Sequence, residues 1–166
     1  MIKFVRLAAL AAAATIAATP AAAQVAPGNG PATATVRITK PLTLTRVSHL
    51  DMGTVVVWGD GSVSMTQAGA ISCTAATLVC DPAGTPAEFT VTGTNNRVVQ
   101  INTSNASLVS GANSLTFVPN APATVTLPNS GVGNGLNFRV GGSIALLETT
   151  PAGTYVGNLT VTVQYQ

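Results

Sequence analysis

Residues 151–166 read PAGTYVGNLTVTVQYQ. From Leu159 onward, apolar and polar residues alternate. Leu159, Val161, Val163 and Tyr165 fall in one row, and Thr160, Thr162 and Gln164 in the other. A period of two puts successive side chains on opposite faces of a β-strand. Tyr155 and Gly157 continue the apolar-facing row backwards. Chain ends usually fray into polar tails, whereas here a strand pattern persists to the penultimate residue. Two readings follow. The stretch is either the closing strand of a finished sandwich or an edge strand whose N–H and C=O groups await another chain.

The rest of the sequence points to the same fold class. Thr, Val, Ala, Gly, Asn and Ser dominate, and no segment after the leader holds a 3.6-residue apolar period. ATATVRITK at 32–40 alternates, with Ala32, Ala34, Val36 and Ile38 on one face, and predicts a strand. Pro41 interrupts it before Leu42 and Leu44 resume the pattern. MGTVVVWGDGSVSM at 52–65 predicts a hairpin turning at Gly59-Asp60-Gly61. Residues 70–84 predict a small hairpin or loop around the cysteines. The polar run NTSNASLVSGANS at 102–114 predicts an irregular connection. Further strands are expected around 87–93, 97–102, 115–120, 123–128 and 135–147. Roughly eight to ten short strands between Gly, Pro, Asn and Ser turns are expected to build an all-β, Ig-like β-sandwich.

Residues 1–23 have the form of a secretory signal peptide. Lys3 and Arg6 precede an apolar run from Leu7 to about Ala18, then Pro20 and the small-residue site Ala21-Ala22-Ala23. The run is short for a membrane span, which needs about 20 apolar residues. Cleavage after Ala23 leaves a flexible lead, 24–31, and a single domain, 32–166. The predicted location is outside the cell, reached through the periplasm. Without Lys3 and Arg6, five basic residues (Arg37, Lys40, Arg46, Arg97, Arg139) balance five acidic ones (Asp51, Asp60, Asp81, Glu88, Glu148). No clustered basic patch exists to hold nucleic acid. A neutral, charge-poor surface favours association. Cys73 and Cys80 are the only cysteines. Export favours a disulfide between them, worth about 2.5 kcal/mol from the entropy of so short a loop.

Catalytic patterns are sparse. His49 is the only histidine, with Asp51 on the same strand face, but no serine sits in a nucleophile elbow. The acids are scattered singly, and Asp60 and Asp81 have the setting of turn residues. GVGNG at 131–135 lacks the helix and lysine of a phosphate loop. The chain is therefore expected to be non-enzymatic, with no cofactor and no metal. Trp58 with the tyrosines offers a second possibility, a carbohydrate or protein platform on a monomeric exported domain.

Three details of the closing stretch belong together. The apolar alternation ends in a penultimate aromatic, Tyr165; Gly153 stands fourteenth from the end; and the chain closes on VQYQ. This resembles the C-terminal motif of chaperone–usher pilus subunits. The chain as a whole resembles small secreted bacterial β-sandwich domains of the spore-coat-U-like and archaic pilin group. A family of secreted domains without assigned function shares the beginning ATATVRITKPLTL…LDMGTVVV. The resemblance implies a structural subunit of a cell-surface fimbrium, delivered by a periplasmic chaperone to an outer-membrane usher. In pilins, the N-terminal extension of one subunit fills a groove in the next. Carried over, Ala32, Ala34, Val36 and Ile38 would be the inserting donor residues. Gly153, Tyr155, Leu159, Val161, Val163 and Tyr165 would make the groove and chaperone contacts. Burying Val36 and Ile38 would contribute about 1.5–3 kcal/mol each. The alternative is that 32–40 pairs within its own chain, giving a self-contained sandwich.

Overall fold

In the computed structural model of the chain, residues 33–74, 76–129 and 135–166 are described. The predicted leader at 1–23, the lead at 24–31, Ala32 and the glycine-rich 131–134 lie outside them. The fold is all-β and antiparallel, as the alternation requires, and sandwich-like. Its strands are β1 (Thr43–Ser48), β2 (Val55–Val57), β3 (Gly61–Met65), β4 (Ile71–Cys73), β5 (Leu78–Cys80) and β6 (Ala87–Thr92). They continue as β7 (Val98–Thr103), β8 (Ala106–Ser110), β9 (Asn113–Asn120), β10 (Thr124–Thr126), β11 (Leu136–Leu146) and β12 (Val161–Tyr165). The described residues thus carry twelve strands against the eight to ten expected. The surplus comes from the three-residue β4 and β5 and from β8, which lies in a run expected to be irregular.

β11 organises the larger sheet. Its first half pairs with β6, which pairs in turn with β1. Its second half runs between β3 and β9. The change of partners falls at Gly141-Gly142. A Cβ on Gly141 would strike the Met65 carbonyl, and one on Gly142 would strike the Phe117 ring and the Val118 carbonyl. Glycine there lets neighbouring backbone approach where any side chain would block it. A second sheet has the order β10-β7-β12, and β2 pairs with β5 in a third.

Two core clusters follow. In the first, Ala87, Phe89 and Val91 of β6 and Phe138 and Val140 of β11 meet Val99 and Ile101 of β7 and Leu127. Two sheets meet face to face here, with Val91, Val99 and Val140 at 0% exposure. Phe89 and Phe138, directly opposite across strands, stack with ring centroids 5.7 Å apart. The second cluster joins Val63 and Met65 of β3, Leu78 of β5, Ala106 of β8, Phe117 of β9, Leu146 of β11 and Met52. Leu50 and Leu159 pack against both clusters.

Four local expectations are corrected. Residues 52–65 are not a hairpin, because β2 pairs with β5 while β3 pairs with β4 and β11. Val55 and Val57 reach the second core from one sheet, and Val63 and Met65 from another. The glycine-rich turn at 59–61 therefore crosses between sheets. The cysteine segment is likewise not a hairpin: Cys73 lies in β4 and Cys80 in β5. Their disulfide, with Cα atoms 6.2 Å apart, joins two sheets across the turn at Thr74–Leu78. Residues 102–114, expected to be irregular, close β7 and form the β8–β9 hairpin. Asn102, Ser104, Asn105, Ser107, Asn113 and Ser114 are exposed, and the turn at Gly111 uses φ +60°. Finally, residues 33–40 form no strand and are exposed throughout.

Candidate functional site: an apolar seam beside the terminal strand

The terminal stretch divides between two neighbours. Around Val156 it makes an isolated antiparallel bridge to Val109 of β8, with N–H···O bonds of 2.8 and 3.0 Å. A Cβ on Gly157 would strike the Ser107 carbonyl, so only glycine permits that approach. Beyond Leu159 the chain joins β7, in register from Val161 opposite Thr103 to Tyr165 opposite Val99. The single face expected from Tyr155 to Tyr165 is therefore two pieces. Gly153 lies against Ser110, and Tyr155 donates its hydroxyl hydrogen to the Pro151 carbonyl at 2.9 Å. Neither belongs to the row formed by Leu159, Val161, Val163 and Tyr165.

That row borders a seam. β12 stands at the end of its sheet, and β1 stands at the end of the sheet that faces it. Among the described residues, β12 pairs only with β7 and β1 only with β6. Leu42 and Leu44 from the β1 side, and Leu159, Val161, Val163 and Tyr165 from the β12 side, are half-buried against the first core. Such a pair of edges combines unpaired backbone groups with apolar surface, the combination that accepts an added strand.

Tyr165 marks one end of the seam. Its hydroxyl donates to the Lys40 carbonyl at 2.7 Å and accepts the Thr94 N–H at 2.7 Å. The Lys40 N–H donates to Thr94 Oγ1, also at 2.7 Å. The Arg97 guanidinium lies 5.9 Å from the centre of the Tyr165 ring, and its Nη2 donates to the Gln166 carbonyl at 2.9 Å. This is a cation–π arrangement. The Gln166 N–H continues the ladder to the Val98 carbonyl at 3.1 Å.

Of the donor residues named from the sequence, those described fall in no strand. Ala34, Val36 and Ile38 are exposed, Val36 by 81% and Ile38 by 84%. Ala32 lies outside the described residues. Residues 33–39 belong to no strand, and the backbone of Lys40 is held by Thr94 and Tyr165.

The other candidates resolve simply. His49 is exposed, and Asp51 accepts the Gly53 N–H at 2.8 Å in a local turn. Asp81 accepts the Ala83 N–H in the same manner. Among the described residues, no group of three His, Cys, Asp or Glu side chains converges to hold a metal. No helix among them is long and apolar enough to cross a membrane. Trp58 extends the β2–β5 pairing through its backbone, bonds the Ala76 carbonyl through Nε1 at 3.3 Å, and leaves its ring 54% exposed.

Comparison with known proteins agrees with the extent of this fold. A protein family described as a domain of unknown function, DUF4402, matches residues 42–165. The chain belongs to the DUF4402 family. No curated protein and no solved structure matches it. The DUF4402 match opens at Leu42, the first seam residue, and closes at Tyr165, the last. The exposed segment 33–40 lies ahead of it.

Sequence reasoning identified the β12 side of the seam from its alternation. It missed the opposite wall and the hub at its end. Leu42 and Leu44 carried a visible strand pattern, but nothing in it said which edge they would form. Thr94 lies in the turn after β6 and Arg97 just ahead of β7, and nothing in their local pattern pointed to Tyr165.

Proposed function

We propose that this DUF4402 domain is a non-enzymatic structural subunit of a cell-surface fibre. It is exported, and it polymerises by strand addition: residues 32–38 of one copy enter the seam between β1 and β12 of the next. The observation that carries this reading is a pair of complementary features in one chain. An alternating apolar segment stands exposed at the N-terminal side, and an apolar seam with two free strand edges lies along the C-terminal strand. An extended segment there gains ladder hydrogen bonds from the edge and places alternate side chains into the seam. Because donor and acceptor are different surfaces, the contact is heterologous and propagates as a fibre. The resemblance to pilus subunits supports the same reading and adds a periplasmic chaperone and an outer-membrane usher as its partners. Self-association is the main interaction; no nucleic acid and no small-molecule cofactor takes part.

The test is assembly of the secreted chain. Concentrated protein run unheated on a denaturing gel should give a ladder of resistant oligomers. Ile38→Asp should abolish the ladder, and a chain lacking residues 24–38 should bind a synthetic peptide of residues 32–39. A full-length chain that stays monomeric at high concentration, with no ladder, overturns the proposal.

A further inference from the structure

The root of the exposed N-terminal segment is held at one point, and the residue that holds it belongs to the seam. Both hydrogen-bonding groups of Lys40's backbone are engaged there: its N–H by Thr94 Oγ1, its carbonyl by the Tyr165 hydroxyl. The same hydroxyl accepts the Thr94 N–H, which closes a three-residue ring of 2.7 Å hydrogen bonds. Pro41 follows directly. It fixes its own φ and restricts Lys40 to extended conformations. Lys40 is thus a stiff, anchored junction, whereas residues 33–39 form no regular structure. Tyr165 in turn is fixed from three sides. It is the last paired residue of β12, it packs on the first core, and Arg97 lies over its ring.

We propose that Tyr165 is a positioning residue: its hydroxyl latches the root of the N-terminal segment to the end of the acceptor strand. The latch fixes the point and direction from which the segment leaves the domain. It also couples two surfaces that the fibre reading treats as separate. Tyr165 lines the seam, so a strand that docks beside β12 immobilises the residue that holds the chain's own departing segment. Coupling of this kind is reciprocal, so a latched root must in turn favour strand docking. The coupling rests on the proposed function; the latch does not.

The latch is tested in the full chain by amide hydrogen exchange of its monomeric fraction. Tyr165→Phe keeps the ring, its packing and the Arg97 contact, and removes only the hydroxyl. The Thr94 amide should then exchange about fivefold faster, the effect of losing one typical hydrogen bond. The Val99 and Ile101 amides in the core should not change. Thr94→Val should accelerate the Lys40 amide similarly, and Thr94→Ser, which keeps the acceptor oxygen, should restore it. No change at Thr94 in Tyr165→Phe overturns the latch. So does an equal acceleration at Val99 and Ile101, which would make the hydroxyl a general stabiliser only. A peptide of residues 32–39 separates the two ideas. If it binds and leaves Lys40 exchange unaltered, the coupling is wrong and the fibre reading stands. If it does not bind, the fibre reading falls, and Thr94 and Lys40 exchange still decides the latch.

Discussion

The two ends of the domain carry the same kind of sequence and meet opposite fates. ATATVRIT at 32–39 and LTVTVQYQ at 159–166 both alternate apolar with polar residues. The second is a paired strand on the core, and the described part of the first is exposed and unpaired. The difference lies in side-chain volume and tethering. Leu159, Val161, Val163 and Tyr165 offer enough apolar surface to offset the entropy of ordering a chain end, about 1–2 kcal/mol per residue. Ala32 and Ala34 offer almost none, leaving Val36 and Ile38 to carry the apolar row. Tyr165 adds two hydrogen bonds and a cation–π contact to its strand. Alternation makes a segment competent to be a strand; apolar volume decides whether it becomes one unaided.

Three variants sharpen this contrast. Tyr165→Ala removes the ring from the core and both hydroxyl bonds. It should lower unfolding stability by about 3 kcal/mol, read as a lower urea midpoint at unchanged slope. A loss below about 1 kcal/mol would mean that β12 is held no more firmly than the N-terminal segment. Val163→Ala, at a half-buried seam position, should cost about 1 kcal/mol in the same measurement. Joint replacement of Val36 and Ile38 by Ala should leave monomer stability within about 0.5 kcal/mol, as for exposed positions, while weakening the oligomer ladder. A stability loss above about 1 kcal/mol in the monomer would break the contrast. It would show that the segment packs on its own domain and that the sandwich is self-contained.

Much of the fold was legible because its signals are local. The period of two in 87–93, 97–102, 115–120 and 159–165 falls on β6, β7, β9 and β12. The disulfide followed from two cysteines in a chain whose leader reads as an export signal, and Cys73 and Cys80 are joined. What misled the reading was proximity. Val55–Val57 and Val63–Met65, separated by a glycine turn, have every local mark of a hairpin. They part because each carries apolar residues that reach the same core from different sheets. Residues 106–110 went unrecognised as a strand because buried Ala106 is small and the neighbouring serines resemble a loop. The candidate site shows the same division. Leu159, Val161, Val163 and Tyr165 stood out in sequence, whereas Gly153 and Tyr155 shared their row and belong beside β8.

The sequence by itself determined that this is an all-β chain, which residues of β6, β7 and β12 face inward, and that its last residues form a strand. These follow from the two-residue period of the extended backbone, a property of each segment alone. Only the tertiary structure decided that β12 and β1 each end their sheets and that Leu42 and Leu44 pack on the same core as the terminal row. It alone set Lys40, Thr94 and Tyr165 within hydrogen-bonding distance across separations of 54, 71 and 125 residues. Edges, seams and latches are relations between distant segments. They are fixed by how the sheets stack around β11, and no local pattern encodes them.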